Sequence, residues 1–83
     1  MTNFSKWLSK KIKNKKKFTS RSSWTMRDLN RWCHGKNVPN LYKISSLLED
    51  IAVFSKQQYS SVLEEAFREL QKDYKQKNET KTN

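Results

Sequence analysis

Residues 25–41, TMRDLNRWCHGKNVPNL, decide how this chain folds. Thr25 is placed to cap the start of a helix, and Asp28, three residues later, adds negative charge to the first turn. Three residues recur at helical spacing and are predicted to face a core: Leu29, Trp32 and Cys33. Arg27 and Arg31 fall on the opposite side. The pattern therefore predicts a helix with one apolar and one cationic face.

The end of this helix and the start of the next are also marked. Gly35 is the only glycine of the chain and lies where a left-handed residue ends a helix. Pro39 cannot continue a helix and favours an extended Val38, so Asn40 is placed to cap the following helix. The apolar residues of that helix are predicted to be buried: Leu41, Ile44, Leu47, Leu48 and Ile51.

Upstream, a first amphipathic helix is predicted from apolar residues at helical spacing with lysines on the other face: Phe4, Trp7, Leu8 and Ile12. A helix lying on a membrane surface would show the same pattern, but so small a domain needs these residues for its core. Asn14 is placed to cap a short second helix through Phe18. A loop is the alternative there, because serine and threonine are mediocre helix formers.

Downstream, a fifth and longer stripe extends along the chain: Tyr59, Val62, Leu63, Ala66, Phe67, Leu70 and Tyr74. It is longer than so small a core requires, so its far end forms either a rim of the core or a surface for self-association. The candidate dimer surface consists of Phe67, Leu70 and Tyr74. We expect an all-α fold with helices at roughly 3–13, 15–22, 26–34, 41–52 and 56–74. These helices form a single domain over residues 1–74, followed by a disordered polar tail over residues 75–83.

The composition is that of one small domain. Its 83 residues are near the lower limit for folding without disulfide or metal support. The single cysteine, Cys33, excludes an internal disulfide and fits a reducing compartment. No run of about twenty apolar residues is present, and the N-terminus lacks the apolar block of a secretory signal. A cytoplasmic protein without a membrane span is therefore expected.

The net charge of +10 is concentrated in the first half of the chain. Residues 1–36 hold eleven Lys and Arg against one acid, which gives +10, and residues 37–83 hold seven against seven, which gives zero. Such dense charge is relieved when an anionic polymer neutralises it and releases counterions. Nucleic acid is the favoured partner. An anionic membrane and solubility alone are alternatives, although solubility alone predicts evenly spread cations.

The run RDLNRWCHGKNVPNLYKISSLLEDI, residues 27–51, is similar to the phage repressor and Cro-type (XRE-like) helix-turn-helix family. The shared features are an aliphatic residue three before an aromatic one, a glycine three after it, a proline four later, and the apolar residues of helix four. They are carried by Leu29, Trp32, Gly35, Pro39, Leu41, Ile44, Leu47 and Ile51. The resemblance covers about residues 4–54, with Trp24 in the turn between helices two and three. It implies a compact lambda-repressor-like fold.

The resemblance also implies a function and a site. In that family the start of helix three contacts bases in the major groove, and flanking groups hold phosphates. By position, the base-facing residues are Thr25, Met26, Arg27 and Arg31, and the phosphate-facing residues are Asn14, Lys15, Lys36 and Asn37. The cationic helix face adds Asn30 to the first set, and the basic run adds Lys16 and Arg21 to the second. The implied function is sequence-directed binding of double-stranded DNA by a small transcriptional regulator, such as a repressor.

Three departures from the family pattern concern the turn and the second helix. Ser23 stands where a glycine is usual, Lys15 where a glutamine is frequent, and Cys33 where an acid is common. These changes replace polar base readout with charge, which favours tighter and less selective binding. Because one recognition helix reads only a few base pairs, site-specific repression needs a homodimer or tandem sites.

The same residues also allow other functions. Cys33 and His34 are too few for a zinc site and point in different directions on a helix, so no metal, cofactor, small-molecule ligand or catalytic activity is expected. The three tryptophans would suit an RNA or single-strand binder if they stacked on bases, but their spacing favours a core. A protein-interaction module, antitoxin-like or a phage accessory protein, remains an alternative because the fifth helix is long.

Overall fold

The computed structural model describes the backbone of residues 2–82 and the side chains of residues 2–76. The backbone forms five helices and no strand over that range. The helices are α1 (Asn3–Lys11), α2 (Lys15–Ser20), α3 (Met26–Cys33), α4 (Leu41–Ser55) and α5 (Tyr59–Thr82). The predicted all-α class with five helices is confirmed. None of these helices is both long enough and apolar enough to cross a bilayer.

The first four helices each begin with a side-chain cap. The capping residues are Thr2, Asn14, Thr25 and Asn40, which accept hydrogen bonds from the amides of Ser5, Lys17, Asp28 and Lys43 at 2.9–3.2 Å. The caps predicted at Asn14, Thr25 and Asn40 are confirmed. Because Asn14 starts a regular helix, the segment between residues 14 and 23 is not the loop that its serines and threonine also permitted.

Gly35 ends α3 as predicted. Its φ of 74° lies in the left-handed region. The amide of Gly35 donates to the carbonyl of Trp32 at 3.2 Å, and the amide of Lys36 donates to the carbonyl of Arg31 at 3.1 Å. These are the two hydrogen bonds of a Schellman ending, which satisfies carbonyls that the helix would otherwise leave unpaired.

Several predicted boundaries are wrong. Helix α4 continues past residue 52 to Ser55. Its C-cap residue, Lys56, is left-handed with φ 57°. Helix α5 therefore begins at Tyr59 instead of 56, and it does not stop at 74. The tail predicted to be disordered, 75–83, is helical as far as Thr82, because its Lys, Gln and Glu residues form helices readily and it contains no Gly or Pro. Asn83 lies outside the described residues.

One core joins all five helices. Its members are Phe4, Trp7, Leu8, Ile12, Phe18, Leu29, Trp32, Cys33, Ile44, Leu47, Leu48, Ile51, Ala52, Val62 and Ala66. Leu41, predicted to be buried, is instead 75% exposed. It is the first residue of α4, directly after the capping Asn40, so its side chain lies beyond the part of the helix that packs on the core. Pro39 is buried nearby instead.

Aromatic contacts attach the second and third helices to the fourth. Phe18 of α2 packs edge-to-face on Phe54 of α4, with ring centroids 5.3 Å apart. Trp24, in the turn between α2 and α3, packs the same way on Trp32 at 5.4 Å and donates its indole N–H to the carboxylate of Asp50 at 2.7 Å. The turn position predicted for Trp24 is confirmed. These contacts fix α2 and α3 as one unit on α4.

Candidate nucleic-acid interface

Helix α3 is held by one face and leaves the opposite face to solvent. Leu29, Trp32 and Cys33 are buried, and the helix packs against α1 and α2. Successive residues are rotated by about 100° around a helix axis, so Arg27 and Arg31 lie almost opposite the buried face. Both arginines are exposed. The two-faced helix predicted from the sequence is therefore present, and its rigid attachment directs the arginines outward.

The other predicted base-facing residues surround the two arginines. Thr25 and Met26 are exposed at the start of α3. Asn30 is half-buried and lies on the side of α3 that meets α2. The structure thus brings the predicted base-facing residues onto one end and one face of the helix. Only Asn30 among them has a side-chain bond to another helix.

That bond comes from Lys15 at the start of α2. Its Nζ donates to Asn30 Oδ1 at 3.0 Å, and both side chains are half-buried. Lys15, predicted to face phosphates, therefore has its ammonium group directed at α3. No local sequence pattern signals this contact, because the two residues are fifteen positions apart on separate helices.

The remaining predicted phosphate-facing residues are exposed: Asn14, Lys16, Arg21, Lys36 and Asn37. Asn14 already uses its side-chain oxygen to cap α2, which leaves its amide NH2 free to donate to an anion. Lys16 and Arg21 belong to α2 and its end, whereas Lys36 and Asn37 follow α3. The set therefore comes from the helix before α3 and from the segment after it.

A polar concavity lies between α3 and the start of α4. It has a volume of about 250 Å³, and its polar lining includes Asp28, Arg31, Asn37 and Lys43. Asp28 is the single acid among residues 13–36. It lies on the α4 side of Arg31, so neither α2 nor α3 contributes a carboxylate to the α2 side of the exposed face.

The cations around α3 lack acidic partners. Residues 13–36 contain eight Lys and Arg, and none of them forms an ion pair among the side chains that the structure describes. The ion pairs found among the described side chains all use acids of α5: Lys11 with Glu65, Arg68 with Glu64, and Lys72 with Glu69. Ion pairs within the described residues therefore neutralise none of the positive charge of residues 13–36.

The acids of α5 are used to hold α1. Asp73 accepts hydrogen bonds from the amides of Asn3 and Phe4 at 2.7 and 3.0 Å, across about seventy residues of sequence. Glu65 accepts from the Trp7 indole at 3.1 Å and pairs with Lys11 at 3.0 Å. The hydrogen bond from Trp7, followed by the contacts with Lys11, lowers the pKa of Glu65. No local pattern in the sequence predicts these contacts between α1 and α5.

The candidate dimer surface on α5 is partly used within the chain. Leu70 packs against the core, while Phe67 and Tyr74 are 41% and 68% exposed. Phe67 also lines a shallow groove with Leu63, Glu64 and Arg68. Of the predicted surface, Phe67 and Tyr74 are the residues that remain accessible.

The Cys33 and His34 pair contributes no metal-binding geometry. Cys33 is buried and His34 is exposed, so the two side chains lie on different sides of α3. No group of three or more potential metal ligands of the His, Cys, Asp or Glu type occurs within the described part of the chain.

Comparisons with protein-family models, with curated proteins and with solved structures found no match to this chain.

Proposed function

We propose that this protein binds double-stranded DNA with α3 in the major groove and acts as a small transcriptional regulator of the repressor type. The observation that carries the proposal is the exposed face of α3. Arg27 and Arg31 project from it without ion pairs in the described structure, while Leu29 and Trp32 anchor its back. A short helix fits the major groove, and arginine can bind guanine O6 and N7 with two hydrogen bonds.

The surrounding charge supports the same function. Lys16, Arg21, Lys36 and Asn37 are exposed on α2 and on the segments before and after α3, where phosphates of a bound duplex would lie. Contacts of this kind add affinity by counterion release and set the register of the helix on the duplex without reading sequence. The proposal adopts the lambda-repressor-like helix-turn-helix scheme that the sequence resemblance implies.

We further propose that the protein binds its site as a homodimer. One recognition helix reads only a few base pairs, and a two-fold dimer doubles the site. The α5 surface around Phe67 and Tyr74 is the candidate contact, because it exposes aromatic side chains on a helix that packs on α1 and α4. Two molecules with a net charge of +10 meet most easily where the local charge is balanced, as it is at the Glu64–Arg68 pair.

The tryptophans do not support single-strand binding. Trp7 and Trp32 are buried, and Trp24 is packed on Trp32 with its indole N–H bonded to Asp50. Base stacking requires a free aromatic face, which these rings do not present.

Selection of bound sequences from random duplex DNA at about 0.15 M salt, the physiological ionic strength, tests the proposal. We expect one recurring sequence to be enriched, with two-fold symmetry if the homodimer forms. Absence of any duplex binding at that salt would contradict DNA binding and favour a protein-interaction module that uses α5. Enrichment of an asymmetric single site would contradict the dimer alone.

A further inference from the structure

The bond between Lys15 and Asn30 determines which hydrogen-bonding groups Asn30 offers. An ammonium group can only donate, so the amide oxygen of Asn30 must be the atom that faces Lys15 at 3.0 Å. The usual ambiguity between the oxygen and nitrogen of an asparagine amide is thereby removed. The NH2 group consequently lies on the side of the amide away from Lys15, where it can only donate.

This orientation disfavours adenine. A free asparagine reads adenine with two hydrogen bonds, by donating to N7 and accepting from the N6 amino group. Here the accepting oxygen is already engaged by a cation, and that positive charge repels the amino hydrogens of an approaching adenine. Guanine instead presents two acceptors, O6 and N7, which match the NH2 donor.

The neighbouring side chains favour the same base. Arg27 and Arg31 are three residues before and one after Asn30, and their guanidinium groups only donate. The carboxylate of α3, Asp28, lies beyond these arginines and lines the concavity toward α4. The side of α3 that meets α2 therefore presents donors, and guanine is the base with the most acceptors in the major groove.

We propose that Lys15 is a positioning residue for base specificity, and that the Lys15–Asn30 pair makes the protein select guanine over adenine at the base that Asn30 faces. The inference rests on the proposed DNA binding. It assigns Lys15 a role beyond a phosphate contact, because the ammonium group acts through the orientation and electrostatics of Asn30.

The test compares selected sequences for the full chain and four variants: Asn30→Ala, Lys15→Met, Lys15→Arg and Lys16→Met. Asn30→Ala identifies the base position, because the preference there is lost while the rest of the site is kept. Lys15→Met removes the ammonium and retains most of the stem, whereas Lys15→Arg keeps a cationic donor. Lys16→Met is the matched control, since it removes the same charge from an exposed neighbour on the same helix.

At the position identified by Asn30→Ala, we expect the wild type to prefer guanine over adenine by on the order of 10-fold. Lys15→Met should lower this ratio to about 1 or invert it, because the amide is then free to read adenine. Lys15→Arg and Lys16→Met should keep guanine, although Lys16→Met weakens binding overall. Circular dichroism establishes that each variant is folded.

Three results would overturn the inference while leaving DNA binding intact: an adenine preference in the wild type, an unchanged preference in folded Lys15→Met, or an unchanged preference in Asn30→Ala. Asn30→Ala still tests the proposal if Lys15→Met does not fold. Alanine forms helices more readily than asparagine does, so this variant should retain α3. A wild type that binds no duplex at all would instead overturn the proposed function. The two failures are therefore distinguishable.

Discussion

The cations of residues 13–36 and two cations of α5, Arg68 and Lys72, differ in whether a carboxylate pairs with them. Arg68 and Lys72 on α5 each lie within 4 Å of a glutamate one turn away on the same helix. The eight cations of residues 13–36 have no such partner in the described structure. Paired surface charges add little stability and no attraction for a ligand, whereas unpaired ones repel each other until an external anion binds. The proposed function assigns the contact with DNA to the unpaired cations of residues 13–36.

The largest expected effect is that of salt. Raising the salt concentration from about 50 to about 200 mM should lower the affinity for duplex DNA by on the order of a thousandfold, the loss expected for about six phosphate contacts. Fluorescence anisotropy at several salt concentrations gives the slope of log affinity against log salt. Lys16→Ala, Arg21→Ala and Lys36→Ala should each reduce that slope by about 0.9. A slope near zero for the wild type would show that the unpaired cations do not meet phosphates.

Removal of the two exposed arginines of α3 has the next largest effect. Arg27→Ala and Arg31→Ala should each weaken binding to the selected sequence by about 1–3 kcal/mol, because a bidentate guanine contact is lost. Binding to random duplex should fall less, since only one charge is removed. Competition binding with the two DNAs measures both losses. Equal losses on both would mean that the arginines contact phosphates and read no bases.

The α2–α3 unit also shows how much of this molecule local sequence predicts. The predicted helix caps and helix end are confirmed at Thr25, Asn14 and Gly35. Each of these residues bonds to backbone groups no more than about one helical turn away. The two faces of α3 follow from helical periodicity. The end of α4 and the start of α5 are predicted wrongly, because Lys56 takes a left-handed conformation that its side chain does not favour and that no sequence rule predicts.

Contacts between distant residues account for what the sequence could not predict. The bond from Lys15 to Asn30 and the capping of α1 by Asp73 depend on how helices pack, so neither leaves a periodic signal. Local sequence also fails to predict which residues are exposed at helix ends. Leu41 fits the apolar period of α4 but lies at its first residue, beyond the core. The apolar pattern therefore predicts α3 and its two faces, whereas the orientation of Asn30 and the pairing of charges required the structure.

A smaller effect is expected on stability, from the paired carboxylate of Glu65 on α5. The pKa of Glu65 is lowered in the folded protein by Trp7, Lys11 and Gln57, so its ionised form stabilises the fold. That contribution is fully present above about pH 4.5, the ordinary pKa of a glutamate carboxyl, and is lost as the pH falls through the lower pKa of the folded state. Because Glu65 is partly exposed, we expect at most about 1 kcal/mol. Urea unfolding between pH 7 and pH 3, compared with Glu65→Gln, measures it.

A Glu65→Gln variant with the same pH dependence as the wild type would contradict that assignment. DNA affinity at neutral pH should be equal for the two proteins as long as both are folded. Glu65 contacts α1 and not the α2–α3 unit, so a large change in affinity would mean that the two regions are coupled.

The smallest effects are expected at the paired cations themselves. Arg68→Ala and Lys72→Ala should change the free energy of unfolding by less than about 0.5 kcal/mol, because exposed pairs one turn apart on a helix contribute only a few tenths. They should also leave the salt slope and the affinity for DNA as in the wild type. The same measurements on Lys16→Ala and Arg21→Ala provide the contrast, since those variants also remove one exposed charge each. Arg68→Ala could instead lower the salt slope as much as Lys16→Ala does. Pairing with a glutamate would then not predict which cations contact DNA, and net charge alone would account for binding.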